Sequence, residues 1–128
     1  MTRVYLPVAL ALAIAMTLIH VFVGGRMIAE PLLASDLPTL PRLTLYLCWH
    51  GITVILAGMA LLVADALFWR RKADSAYLVA GLAAAITLIG WSLIVRFGIM
   101  PLTLPQWIVF APMSVTAFLG ARSISERR

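Results

Sequence analysis

Two histidines and one arginine stand in stretches of the sequence that are otherwise almost wholly apolar. Each has a hydroxyl residue three or four positions away: Thr17 with His20, Thr53 with His50, and Ser92 with Arg96. Residues at this spacing lie on the same face of an α-helix. Arginine stays charged in poorly polar surroundings, and histidine can donate, accept or carry a proton. These residue types suit a small ligand that bears a carboxylate, a phosphate or another anionic group.

The composition indicates that these polar groups are positioned by helices in lipid. Hydrophobic residues make up 63% of the 128 residues, charged residues make up 12%, and the mean hydropathy is +1.04. A soluble domain is about 45–50% apolar and about 25% charged. The chain therefore lacks the polar surface that would face water. We expect the lipid bilayer, and no nucleic acid, as its partner.

Four stretches are long and apolar enough to cross a bilayer, which takes about 20 mainly apolar residues. None shows the alternation of outer-membrane barrel strands, and backbone groups in lipid must be hydrogen-bonded internally. We therefore predict an all-α integral membrane protein, a four-transmembrane-helix bundle that forms a single domain over residues 1–128. The spans are expected at about residues 4–24, 43–69, 77–98 and 106–121.

The basic residues predict the orientation of this bundle. Of the ten Lys and Arg residues, seven would lie on one side of a four-span chain and three on the other. The first set is Arg3, Arg70, Arg71, Lys72, Arg122, Arg127 and Arg128, and the second is Arg26, Arg42 and Arg96. Cytoplasmic loops of membrane proteins carry the excess of positive charge. The prediction is a multi-pass protein of the cytoplasmic (inner) membrane with both termini in the cytoplasm.

The first extracytoplasmic connection is predicted to be long and apolar. Gly24 and Gly25 are interpreted as the end of the first helix, since glycine is a common helix cap. The segment from Gly24 to Arg42 contains many apolar residues, so we do not expect it to stand free in water. We expect it to lie along the membrane interface or to cover the mouth of the bundle as a lid.

All four predicted helices carry their strongest polar groups in the half that faces outward. Ionisable side chains within a span usually face the protein interior or a water-filled cavity. We therefore predict an outward-facing polar pocket that binds or transports a small, anionic or amphipathic ligand. Its candidate residues are Thr17, His20, His50, Thr53, Ser92, Arg96 and Gln106. The alternative is that Arg96 reaches the interface or pairs with Glu30 or Asp36, while each histidine bonds a nearby carbonyl.

A haem or metal site built on His20 and His50 is a second hypothesis, and the sequence leaves the cofactor unknown. Imidazole and soft sulfur ligands suit metals such as Cu(I), so Cys48 and a methionine are further candidates. Cys48 and His50 are two residues apart on a helix, however, and point about 200° away from each other. A haem between sequential helices also needs them to sit diagonally, since neighbouring helices pack about 8–10 Å apart.

Two further classes of function stay open. The length and four spans are similar to those of the small multidrug-resistance exporters, but the coupling carboxylate in the middle of that family's first span has no counterpart here. A proton-coupled cation exporter of that type is therefore disfavoured. The other class is an accessory subunit of a larger membrane complex, or a homo-oligomer. No enzyme motif is present: the sequence has no GxSxG, no HExxH and no Walker glycine loop.

Overall fold

The computed structural model describes residues 4–69 and 72–126, and every regular element in these ranges is helical. Four helices are long and apolar enough to cross a membrane. They are α1 (Tyr5–Leu33), α2 (Thr39–Trp69), α3 (Ala73–Phe97) and α4 (Trp107–Ser125). The prediction of an all-helical fold with four helices long and apolar enough to span a membrane is confirmed. Five of the basic residues used to predict orientation, Arg3, Arg70, Arg71, Arg127 and Arg128, lie outside the described residues.

Helix α1 does not end at Gly24 and Gly25, and the predicted long first connection is wrong. The α-helix Tyr5–Leu18 continues as a π-helix over Ile19–Ala29 and finishes with a short α-helical segment, Glu30–Leu33. Within this stretch the N–H of Glu30 donates to the carbonyl of Gly25, five residues earlier. Glycine in a helix costs only about 1 kcal/mol relative to alanine, whereas each backbone group left unpaired in lipid costs several. Continuing the helix is thus the cheaper solution, and the connection shrinks to residues 34–38.

The other helices are longer than their apolar stretches. Helix α2 begins at Thr39 rather than near residue 43, α3 begins at Ala73 rather than 77, and α4 extends to Ser125 rather than 121. Hydropathy identifies only the part of a helix within the hydrocarbon, while polar turns continue beyond it. Helix α3 ends where predicted, at Gly98, whose φ of 60° is the left-handed conformation that glycine adopts most readily.

The well-packed core occupies one end of the bundle. We call this the terminal end, because Leu6 near the start of α1 packs there against Gly120 near the end of α4. The opposite end carries residues 34–38 and is called the loop end. The largest fully buried side chains are Leu56, Met59, Val63, Val79 and Met113. Small residues such as Ala9, Ala83 and Ala117 complete this core and let the helix backbones approach closely.

Packing is sparse toward the loop end. Among the described residues of α1 after Met16, of α2 before Leu56 and of α3 after Ala83, only Ala29 and Ile94 are buried. The helices contact one another in a ring: α1 lies beside α2 and α4, and α3 lies beside α4 and, less extensively, α2. Because the loop-end halves share little core, the packing there does not bring the polar groups of all four helices together.

Candidate ligand-binding cleft

A partly open cleft of about 270 Å³ lies between the loop-end halves of α1 and α2. Both walls come from these two helices. The lining residues are Val21, Gly25, Ala29, Glu30, Leu33, Tyr46, Trp49, His50 and Thr53. A volume just below the range of about 300–1,000 Å³ typical of small-molecule pockets indicates a small ligand.

The α1 wall depends on small residues at a regular spacing. Val21, Gly25, Ala29 and Leu33 lie four residues apart and therefore share one face of the helix. A Cβ atom added to Gly25 would meet no heavy atom within 4 Å, because it would point into open space. Glycine and alanine in the middle of this wall thus leave the volume that the cleft occupies. The extension of α1 past residue 24 is what supplies the wall.

The α2 wall is aromatic and polar. Tyr46, His50 and Thr53 lie on one face, at spacings of four and three residues. The rings of Tyr46 and His50 meet edge to face, with centroids 4.6 Å apart and planes at 87°. The Thr53 hydroxyl donates to the carbonyl of Trp49 at 3.2 Å. The imidazole of His50 is exposed, so it is free to meet a ligand in the cleft.

Trp49 is held in place by two residues of α1 that do not line the cleft. The ring of His20 stacks on its indole, with centroids 3.8 Å apart and planes inclined by 15°. His20 Nε2 also lies 3.3 Å from the Trp49 carbonyl oxygen, to which it donates in the tautomer that carries hydrogen on Nε2. On α1, Gly24 leaves room for the indole, since a Cβ there would lie 2.6 Å from Trp49 Cη2. His20 therefore supports a wall of the cleft instead of lining it.

Glu30 gives the cleft its only formal charge. It is exposed, it lies in the last turns of α1, and no arginine or lysine is among the lining residues. Within residues 4–69 and 72–126, the one salt bridge joins Arg122 to Glu126 in α4, so Glu30 has no ion-pair partner there. The guanidinium of Arg42, on the neighbouring helix, donates to the carbonyl of Ser35 at 3.1 Å.

Of the residues predicted to form one pocket, only His50 and Thr53 line the cleft. Thr17 donates to the carbonyl of Ala13 in its own helix, and Ser92 does the same to Ile89. Arg96 is exposed, and its nearest aromatic contact is the adjacent Phe97, 5.9 Å from the ring centroid. Gln106 lies at the start of α4, where its carbonyl accepts the first helical hydrogen bonds. This cleft therefore contains the two predicted residues of α2 and none of those on the other three helices.

Seven lining residues were not among the predicted site residues, and three of these carry charged or aromatic side chains: Glu30, Tyr46 and Trp49. Tyr46 carries a signal in the sequence, because it shares a helix face with His50 and Thr53. Glu30 carries no such signal, because Gly24 and Gly25 were interpreted as the end of the first helix and Glu30 was therefore placed in a loop. Trp49 was assigned no role because it neighbours a histidine in sequence, and such neighbours point to different sides of a helix.

The geometry gives no support to a metal or haem centre on the two histidines. In the described part of the chain, no three His, Cys, Asp or Glu residues are grouped closely enough to hold a metal ion. One face of the His20 ring is covered by Trp49, and its Nε2 lies against a backbone carbonyl. Helices α1 and α2 are also neighbours in the ring of helices, whereas a haem between them needs a diagonal arrangement.

Comparison with known proteins gives no guide to the ligand. No protein-family model matches the chain, and neither a curated protein nor a solved structure is significantly similar to it. The residues of the cleft and their chemistry are therefore the basis on which a function is proposed.

Proposed function

We propose that this protein is a multi-pass membrane protein that binds a small amphipathic ligand in the cleft between α1 and α2. The observation that carries the proposal is the concentration of Glu30, Tyr46, His50 and Thr53 around one cleft in a chain of which 63% is hydrophobic. Polar groups exposed within a membrane protein are costly unless they meet water or a ligand. Apolar residues of α1 complete the cleft, so a ligand with both polar and apolar parts fits it.

In the proposed orientation the protein spans the cytoplasmic (inner) membrane with both termini in the cytoplasm. The cleft then opens toward the extracytoplasmic side. This orientation is supported by the seven-to-three distribution of Lys and Arg between the two sides. A C-terminal fusion to green fluorescent protein, which fluoresces only when it folds in the cytoplasm, should be bright. A fusion to alkaline phosphatase at the same position should be inactive, and the reverse pattern would overturn the orientation.

The anionic ligand expected from the sequence is no longer favoured. That expectation depended on Arg96, which lies outside the cleft, and no other cation lines it. The amphipathic part of the expectation depends on apolar walls with a few polar groups, and it is supported by the lining residues. The ligand proposed here is therefore defined by its small size and its mixed character.

A single-tryptophan protein provides the test. Replacing Trp69, Trp91 and Trp107 by phenylalanine leaves Trp49 as the sole tryptophan, which can be labelled as 5-fluorotryptophan. In lipid nanodiscs, the ¹⁹F resonance should shift and saturate with at least one of three small probes. These are benzyltrimethylammonium, its uncharged isostere neopentylbenzene, and the anion phenylmethanesulfonate.

A matched pair of glycine variants makes this test specific to the cleft. Gly25→Leu should fill the open space on the α1 wall and abolish the saturable shift. Gly81→Leu adds the same side chain to an exposed position of α3 with no neighbour within 4 Å of its Cβ, and should leave the shift unchanged. A response to none of the three probes, or an undiminished response in Gly25→Leu, would overturn the proposed function.

A further inference from the structure

We propose that the cleft selects a small organic cation, an ammonium group carried on an apolar body. This inference rests on the proposed function, since it names the class of ligand that the same cleft takes. The ammonium group would lie near the Glu30 carboxylate and against the rings of Tyr46 and Trp49. The apolar body would lie along the α1 wall.

The charge of the lining gives the first argument. Glu30 is the only lining residue with a formal charge, and it forms no salt bridge within the described residues. The two outer arginines closest to it in sequence, Arg26 and Arg42, do not line the cleft. A carboxylate at the edge of a low-dielectric region attracts a cation more strongly than it would in water. An anion, by contrast, would meet repulsion there with no guanidinium or ammonium group among the lining residues to offset it.

The aromatic residues give an independent argument. The faces of Trp and Tyr carry negative charge density, which attracts ammonium groups within about 6 Å of the ring centroid. Tyr46 and Trp49 both line the cleft, less than one helical turn apart on α2. The stack of His20 covers one face of Trp49 and fixes the ring, so the part that lines the cleft is held in a defined position. Aromatic walls with a nearby carboxylate are a common way to bind quaternary ammonium groups.

The apolar side of the cleft accounts for the rest of the ligand. Val21, Ala29 and Leu33 present apolar side chains along α1. Gly25 has no side chain, so it leaves open space between them for the ligand. A metal ion or a simple ammonium ion would leave this surface uncovered. Glu30 lies in the extension of α1 beyond Gly24, away from the middle of the span. The proposal therefore concerns binding of the cation, and it does not include transport of the cation in exchange for protons.

The experiment compares the first two probes in the single-tryptophan protein. Benzyltrimethylammonium and neopentylbenzene have the same shape and differ by a positively charged nitrogen in place of a carbon. Concentrations are expressed in the membrane phase, from the partition of each probe into protein-free nanodiscs. We expect the cation to half-saturate the Trp49 shift at a concentration at least tenfold lower than the isostere, and phenylmethanesulfonate to bind most weakly.

A carboxylate variant and its matched control identify the source of this preference. Glu30→Gln should weaken binding of the cation about tenfold and leave the isostere unchanged. Asp36→Asn removes another exposed carboxylate near the loop end that does not line the cleft, and should change neither. An equal effect of the two variants, or no effect of Glu30→Gln, would overturn the inference.

The outcomes also separate this inference from the proposed function. If the probes bind in a manner that Gly25→Leu abolishes, but the isostere or the anion binds as tightly as the cation, the cleft is a ligand site and its selection of cations is refuted. If no probe shifts the Trp49 resonance, the proposed function fails and the inference fails with it. Tighter binding of the cation that depends on Glu30 supports both.

Discussion

The imidazole of His20 stacks on the indole of Trp49, with centroids 3.8 Å apart and planes inclined by 15°. The same two residues are joined by a contact of 3.3 Å between His20 Nε2 and the Trp49 carbonyl oxygen. This pair connects α1 to α2 at a level where the helices share almost no buried core. The pair fixes the distance between the two walls of the cleft. Its loss should therefore change the geometry of the cleft before it affects the core at the terminal end.

Replacing His20 by alanine should loosen Trp49 and destabilise the protein modestly. An aromatic pair contributes about 0.5–1.5 kcal/mol, and a polar contact between membrane helices adds about 0.6 kcal/mol. We expect a loss of about 1–2 kcal/mol in unfolding by sodium dodecyl sulfate in mixed micelles, together with a narrower ¹⁹F line from the more mobile Trp49. The control is His50→Ala, which removes only the edge contact with Tyr46. Equal effects of the two variants would contradict a specific role for the stack.

Adding a methyl group at Gly24 should displace Trp49 from its position. The new Cβ would lie 2.6 Å from Trp49 Cη2 and 3.2 Å from Cζ2, which is too close for either ring atom to stay. Overpacking of this kind costs about 1–3 kcal/mol. Gly24→Ala should therefore lower the stability and shift the Trp49 resonance without any ligand. Gly58→Ala in α2, where a Cβ has no neighbour within 4 Å, should do neither. A Gly24→Ala protein with an unshifted resonance would refute the close packing.

The terminal end offers a similar test of how α1 and α4 meet. A Cβ at Gly120 would lie 2.5 Å from Leu6 Cδ2 and 2.7 Å from Cγ, with the Leu6 backbone nitrogen at 3.5 Å. Gly120→Ala should destabilise the protein by about 1–3 kcal/mol. Leu6→Ala should relieve the clash, so a double-mutant cycle in mixed micelles should show a favourable coupling between the two changes. Gly90→Ala, with open space around its Cβ, is the control, and additivity of the two changes would argue against the contact.

One hydroxyl joins α3 to α4 across the core. Ser114 donates to the carbonyl of Ala80 at 2.9 Å, while most other hydroxyls in the described residues bond to their own helix. Such bonds between membrane helices average about 0.6 kcal/mol. Ser114→Ala should lower the free energy of unfolding by about that amount. Ser92→Ala, which removes a bond to Ile89 within α3, should have a smaller effect. A larger loss from Ser92→Ala would reverse this assignment.

The sequence predicts the four helices well because hydropathy reports directly on which residues lie in lipid. Its largest error is at Gly24 and Gly25, where a rule from soluble helices was applied. In water a glycine can end a helix because the freed carbonyls bond to solvent. In a membrane protein no solvent replaces those bonds, so α1 continues to Leu33. For this reason the residues after Gly24, which were predicted to form a lid, instead form the α1 wall of the cleft.

The candidate site was harder to predict because depth in the membrane does not determine which helices approach each other. Ser92 and Arg96 lie toward the same end as His50, but the loop-end half of α3 has little core to hold it near α2. The face shared by Tyr46, His50 and Thr53 was visible in the spacing of α2 alone. Contacts between helices, such as that between His20 and Trp49, depend on packing that one sequence does not specify.

The π-helical stretch of α1 also matters for comparing this chain with others residue by residue. Hydrogen bonds from residue i to i+5 put more residues into each turn than the bonds to i+4 of an α-helix. An α-helix in place of this stretch would need fewer residues to bring the following residues to the same face, because each of its turns holds fewer residues. A relative that is α-helical throughout this stretch would therefore keep its glutamate toward α2 when it has a short gap between His20 and Glu30. An α-helical relative without such a gap would turn that glutamate to another face of the helix and lose the cleft as it is formed here.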